Sequence, residues 1–530
     1  MPIGPKQAFL FLKNRITRTV DGLEDRIPID LGEKALCTSG SNNEESSSEI
    51  EALDLDTETR GSEPSWGSRA QFTNSSTAVG CSDGGTDMTT GLFDTMLLPD
   101  EVLAYIFEIG EDYWEDGVGA FAVSVSHVSH RFRDIALQTA RLWTSLSTNF
   151  CADKTGTFLH RSKNGNLDVN FIPASLSRAI KDQETVAVKL IRQSHRWEHL
   201  RIDDDCSPNT LNLISPVLRT SSYILPRLRS IEHNGIEKQR ISLPLPNAPS
   251  LTHFYGNNSY PSIVRVTTVT NAELFFGGSM GLGRLYLRDF IDVLATPFKN
   301  VLSLTLTFDS LSTTDAMNRS FSMPSVQTLS INVRLSTKLA LTNVVNHAHF
   351  PKVSTLRVSL HLMCQDDDIH GYLNTIICSQ SDFGATVTSL RIHLQTAGVS
   401  LQSRDSVSSK EVFLKQLFQD FWRLQHLDIR ATTIPFPEGK GIWEGLLENL
   451  PPLHTLSFEQ CDGLYPWHLT SLTRKLREIP HSLTFVGLRI NRCRNLSSEF
   501  LDTVQDLMDG KLTWTGVERG AYVKSLATLR

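Results

Sequence analysis

The chain contains no run of about eighteen apolar residues, so it offers no membrane-crossing helix. It also lacks a basic surplus: 51 Lys and Arg stand against 58 Asp and Glu, and the formal net charge is −7. Nucleic-acid binding through bulk electrostatics needs a basic face, which this balance argues against. Eight cysteines, at 37, 81, 151, 206, 364, 378, 461 and 493, show no paired spacing. Free thiols in a reducing compartment, cytoplasmic or nuclear, are therefore expected. Catalytic patterns are scarce as well. No Gly-x-Ser-x-Gly elbow occurs, and the glycines at 277, 278, 281 and 283 are not followed by the Lys-Ser/Thr pair of a phosphate loop.

What the chain does have is a spaced apolar pattern from residue 197 onward. Its unit is apolar, two others, apolar, one other, apolar. It fits Trp197-Leu200-Ile202, Leu282-Leu285-Leu287, Val301-Leu304-Leu306, Val326-Leu329-Ile331 and Val353-Leu356-Val358. Val387-Leu390-Ile392, Leu424-Leu427-Ile429, Leu453-Leu456-Phe458 and Phe485-Leu488-Ile490 follow. The third position fails in Leu228-Ile231-His233 and Leu251-Phe254-Gly256. Each copy predicts a strand with its apolar residues on one side. The alternate positions, among them Arg284, Tyr286, Arg288, Arg357, Arg391, His393, Asp428, Arg430 and Arg489, then face the other way and are candidates to hold a protein target. One copy cannot bury its apolar face alone, whereas stacked copies can. Successive starts lie 19 to 37 residues apart, and Cys461 and Cys493 take the ninth position of the last two copies. In period and pattern the region resembles leucine-rich repeats. The expected fold class is α/β, an irregular solenoid with a curved parallel sheet; the competing reading is an ordinary α/β domain with short strands.

Upstream, Phe9, Leu12, Ile16, Val20 and Leu23 share one helical face, so residues 1–25 predict a short amphipathic helix. Residues 26–92 are rich in Ser, Thr, Asp and Glu and poor in aromatics, the composition of a disordered linker. Residues 149–195 read as a connecting segment and 196–530 as the repeat domain.

Between them, residues 93–148 carry a denser motif. Leu98-Pro99 precedes Asp100 and Glu101, with Pro expected at the first helical position and two carboxylates at the positive end of the helix dipole. Val102, Ile106 and Phe107 follow at helical spacing, as do Val125, Val128, Phe132 and Ile135 in a second segment, and Leu142-Trp143 closes the unit. This arrangement resembles the F-box, with Ser129 where many members have Cys and Phe132 where many have Trp. About fifty residues bury too little surface to be comfortable alone, so the unit is expected to dock on a partner or on its own downstream domain.

Taken together, the two resemblances imply a non-catalytic substrate-recognition subunit of a Skp/cullin/F-box ubiquitin ligase. The F-box would bind a Skp-family adaptor, and through it the cullin and RING subunits, while the repeats hold a protein target. No cofactor, metal, nucleic acid or membrane is expected. The alternative is a repeat scaffold acting outside any ligase, its helical module serving as an end cap. His195-x-x-Glu198-His199 matches a zinc-peptidase pattern literally, but Trp197, Leu200 and Ile202 make the segment a helix end running into a strand, which would separate the two His.

Overall fold

A computed structural model describes residues 98–113, 118–173, 180–203, 208–219, 223–235, 241–243, 247–261, 268–277, 283–285, 298–314, 320–362, 369–378, 383–396, 407–431, 436, 440–478 and 484–516. The amphipathic helix and linker expected before residue 93 lie outside these residues. The chain divides into two compact units, Met1–Gly110 and Glu111–Arg530.

In the first unit the described residues form most of α1, Asp100–Tyr113. The Pro99 carbonyl accepts the N–H groups of Val102 and Leu103, each at 3.1 Å. Pro99 is thus the cap residue, one place ahead of the expected first helical position. A missing N–H costs nothing there, and Asp100 and Glu101 follow in the first turn.

The second unit opens with α2, Ala120–Ser126, and α3, His130–Gln138. The single segment expected over Val125 to Ile135 is broken because Ser129 is extended and its Oγ accepts the Phe132 N–H at 3.2 Å, capping a new helix. Gly119, ahead of α2, has φ +66°, and a Cβ there would meet the Phe158 ring at 2.6 Å, so only glycine fits. A 3₁₀ turn, Ala140–Trp143, then runs directly into the sheet.

That sheet has 14 strands in strict chain order. They are β1 Ser145–Ser147, β2 Leu167–Phe171, β3 Trp197–Asp203, β4 Ser230–Asn234, β5 His253–Asn257, β6 Asn271–Gly277 and β7 Ser303–Asp309. Then come β8 Thr328–Arg334, β9 Thr355–Leu362, β10 Ser389–Thr396, β11 His426–Ala431, β12 Thr455–Glu459, β13 Gly487–Asn491 and β14 Leu512–Thr515. Every pairing is parallel. One row of Cα partners runs Leu146, Val169, Leu200, Ile231, Phe254, Ala272, Leu304, Leu329, Leu356, Leu390, Leu427, Leu456, Leu488, Leu512, and all are buried. This continuous apolar row is the core that no single strand could bury alone.

The remaining helices fill the connections: α4 Ala152–Arg161, α5 Ile180–Ile191, α6 Pro208–Arg219, α7 Lys338–His347, α8 Ile369–Cys378 and α9 Phe383–Thr386. They continue with α10 Val407–Asp420, α11 Lys440–Leu447, α12 Pro466–Glu478 and α13 Ser498–Leu507. Arg196, buried beside α4, donates to the Ser162 carbonyl and Oγ and to the Gly165 carbonyl, satisfying the end of that helix. Residues 149–195, expected as a connection, thus supply β2, α4 and α5, and the sheet begins at Ser145.

One repeat is displaced. The copy expected at Leu282 does not join the sheet, because Gly283–Leu285 pairs with Leu311–Thr314 in a separate two-stranded ladder. The strand between β5 and β7 is β6, whose inward residues are Ala272, Leu274 and Phe276, with Val269 buried ahead of them. Ala272 is too small to announce an apolar position, and the glycine-rich run before Leu282 imitates the spacing. The two failed copies also have a cause. His233 is buried, its carbonyl accepting the Ser259 hydroxyl at 3.1 Å. At Gly256 a Cβ would lie 2.4 Å from the Ser259 carbonyl oxygen. The close passage of Ser259 therefore leaves no room for a third apolar side chain on β5.

Strand exits share a corner. Asn258, Ser310, Leu335, Gln460 and Arg492 all have φ between 49° and 56°, although none is glycine. After each comes a buried residue: Ser259, Leu311, Ser336, Cys461 and Cys493. Ser259, Ser336 and Cys461 donate to strand-end carbonyls, and the Cys493 thiol does so toward Phe458 and Asn491. The slot visible in the sequence only at the two cysteines is thus filled by serine at 259 and 336 and by leucine at 311.

Candidate functional site

Among the positions in the first unit that carry the F-box resemblance, α1 splits cleanly. Leu103, Ile106 and Phe107 are buried, while Pro99, Glu101 and Val102 are exposed and Leu98 is half-buried. Tyr105, which the sequence pattern passes over, is also exposed, at 59 %. Exposed apolar residues spaced three apart form a stripe along one side of a helix.

The positions of that resemblance in the second unit are mostly interior. Val125, Phe132, Ile135, Leu142 and Trp143 are buried, and Val128 is half-buried in the turn between α2 and α3. Trp143 shows why: its indole N–H donates to the Ala136 carbonyl at 2.8 Å, its ring meets Phe158 edge-on at 4.9 Å, and the Arg161 guanidinium lies 4.3 Å from its centre. It packs as an interior residue at the head of the sheet.

The exposed face of the sheet is the second candidate. Its middle row of Cα partners reads Arg201, Glu232, Tyr255, Glu273, Thr305, Ser330, Arg357, Arg391, Asp428, Ser457, Arg489, Thr513 from β3 to β14. Neighbouring members stand about 4.8 Å apart, one strand spacing. Of the expected target-contacting residues, Arg357, Arg391, Asp428 and Arg489 lie in this row. His393 and Arg430 lie in the next exposed row. Arg284 sits on the separate ladder, so it is not part of the face, and Tyr286 and Arg288 lie outside the described residues.

Charges along the row are partly cancelled by internal pairs. Arg391 Nε meets Asp428 Oδ2 at 2.9 Å, and Arg430 donates to Gln460 Oε1 at 2.9 Å with Glu459 at 4.0 Å. At the other end one guanidinium, Arg201, serves both Asp203 at 3.3 Å and Glu232 at 3.5 Å. Glu232 and Glu273 flank Tyr255, whose hydroxyl is held above its ordinary pKa by burial and then by these two carboxylates. Toward the C-terminal strands a depression of about 450 Å³ is lined by Arg357, Arg391, Asp428, Ser457, Arg489, Lys511 and Thr513, with Gly487 beneath. His361 and His393, ring centres 5.5 Å apart beside Ser359, are both held below the ordinary imidazole pKa, chiefly by burial and then by Arg334 and Arg430 respectively.

The zinc-like motif is split as its flanks predict: His195 lies in a 3₁₀ turn, Ser194–Arg196, and His199 on β3, where Nδ1 bonds Ser230 Oγ. Among the described residues no group of three His, Cys, Asp or Glu side chains gathers as metal ligands. Cys461 is pushed well above the usual thiol range by its hydrogen bond with Cys493 and by burial. Glu232, Tyr255, Glu273, Ser457 and Lys511 escaped the sequence reading; alternation in the copies at Leu228 and Leu251 already marks Glu232 and Tyr255, and Glu273 would have been flagged had Val269-Ala272-Leu274 been read as the repeat. No helix among the described residues is long and apolar enough to cross a membrane. Neither the protein-family models nor the curated proteins compared with the chain give a match.

Proposed function

We propose that the chain is the substrate-recognition subunit of a Skp/cullin/F-box ubiquitin ligase, its helical module docking on a Skp-family adaptor and its leucine-rich-repeat solenoid holding a protein target. The observation that carries the reading is the split of α1: one side is buried through Leu103, Ile106 and Phe107, while Pro99, Val102 and Tyr105 are left outside. An exposed apolar stripe at the motif's Leu-Pro turn is what an adaptor would cover. The subunit acts by proximity, holding a target's lysines near a charged conjugating enzyme, and performs no bond chemistry itself.

A second reading, a scaffold capped by its own helices, is favoured by the interior packing of Trp143 against α3 and α4. Co-expression separates them. Leu98→Ala with Pro99→Ala is expected to abolish co-purification of a Skp-family adaptor while thermal unfolding of the chain stays within about 1 kcal/mol of wild type. Wild-type recovery of the adaptor by this double variant, or no recovery by the wild-type chain, would leave the scaffold as the function.

A further inference from the structure

The exposed middle row carries opposite residual charges at its two ends. Once internal pairs are set aside, Glu273 on β6 and one of the two acids sharing Arg201 remain at the N-terminal end. At the C-terminal end Asp428 is matched by Arg391, and no ion pair is found for Arg357 or Arg489 among the described residues. Between the ends lie Thr305 and Ser330, which are uncharged. From Glu273 to Asp428, midway between Arg357 and Arg489 in the row, is five strand steps, about 24 Å, the span of about seven extended residues.

We infer that this face takes an extended protein segment bearing an oxyanion, seated in the depression between Arg357 and Arg489, and a basic side chain about seven residues away, placed over Glu273. The inference rests on the receptor reading and names the class of target that reading leaves open. Two guanidiniums and the ammonium of Lys511 lining one depression suit a carboxylate or phosphate, and the hydroxyls of Ser457 and Thr513 add donors to its oxygens. The opposite end sets the specificity. A uniformly anionic partner, such as a nucleic acid or an acidic membrane, would bring negative charge against Glu232 and Glu273, and like-charge juxtaposition is how wrong partners are rejected.

The test uses the full chain and labelled synthetic peptides in fluorescence anisotropy at low and high salt. A bipolar peptide, with paired glutamates and paired lysines separated by about seven Gly-Ser residues, is compared with uniformly acidic and uniformly basic versions. A version with phosphoserine for glutamate tells whether the oxyanion is phosphate or carboxylate. The bipolar peptides are expected to bind roughly tenfold tighter than either uniform one, and more weakly as salt is raised. Arg357→Gln with Arg489→Gln should lose about tenfold for them. Glu273→Gln should weaken the bipolar peptides while strengthening the acidic one. These side chains are exposed, so circular dichroism and thermal unfolding are expected to match wild type, and adaptor co-purification, which depends on α1, should be unchanged. Equal binding of acidic and bipolar peptides to the wild-type chain, or unchanged bipolar binding by the double Gln variant, overturns the inference without touching the adaptor experiment. Loss of adaptor recovery by the wild-type chain would overturn the receptor reading alone.

Discussion

Beyond β1 to β4, whose connections carry α4, α5 and α6, the two halves of the remaining sheet share one register yet are backed by different structures. From β4 to β8 the described connections carry short extended pairs, Ile241–Leu243 with Ser259–Pro261 and Gly283–Leu285 with Leu311–Thr314. From β8 onward every connection carries a helix. Their outer faces differ too, acidic before β7 and arginine-bearing after β8. The difference teaches that the strand pattern and the backing layer are independent choices. Alternation alone builds the sheet, whereas the backing depends on what each connection can bury. On α11 that is Trp443, Leu446 and Leu447, all interior.

Large-to-small substitutions sharpen the comparison most. Trp443→Ala removes a fully buried indole whose N–H donates to the His468 carbonyl at 3.0 Å and whose ring meets Phe436 and His468. The expected loss is about 3–5 kcal/mol, at the upper end because a buried hydrogen bond is lost along with the packing. In the other half Phe254→Ala loses its contact with Phe298 but no hydrogen bond, so it should fall at the lower end of the same range. Urea unfolding followed by far-ultraviolet circular dichroism measures both, and a costlier Phe254→Ala would break the account of the two halves.

A smaller effect is expected at Leu335, the corner where the two halves meet. Its φ of 51° is unfavourable for a branched side chain that is 52 % exposed and buries little there. Leu335→Gly should stabilise by about 0.5–1 kcal/mol, strain relief exceeding the entropy of the added glycine. A drop in the urea midpoint would mean the leucine contributes contacts that outweigh the strain.

The smallest effect is electrostatic and belongs to the helix-backed half. His361 and His393 are held below the ordinary imidazole pKa in the folded chain. As pH falls below about 6.5 the unfolded chain takes up protons first. Their contribution to stability is therefore complete above that pH and is lost as pH falls toward the folded values. His393→Gln should flatten the acid-side slope of a midpoint-versus-pH plot, and an unchanged slope would remove the imidazole pair as its source.

Much of the sheet was legible from spacing because each inward row demands an apolar residue at fixed alternation. Leu200, Leu304, Leu356 and Leu427 all sit where the pattern puts them. It failed where chemistry rather than hydropathy fills a position. Ala272 is inward but small, Gly256 is excluded from bearing a side chain by Ser259, and Ser129 breaks a helix that apolar periodicity alone would continue. β1 was missed because Trp143 and Leu146 had already been ascribed to the helical module. Of the candidate site, the arginines were legible by alternation. At the acidic end Glu232 was equally legible in the copy at Leu228, whereas Glu273 was hidden behind the misplaced copy at Leu282.

The corner at the five strand exits that carry it has a consequence for how this chain tolerates change in length. From the inward residue to the buried slot runs Phe254 to Ser259, Leu456 to Cys461 and Leu488 to Cys493, but Leu304 to Leu311 and Leu329 to Ser336 in the two longer strands. The longer path differs by one full pleat, so the corner still arrives with its side chain inward. Insertions in these strands should accordingly be accepted in pairs, widening the outer surface by one row, whereas a lone extra residue would turn every later side chain of its strand inside out.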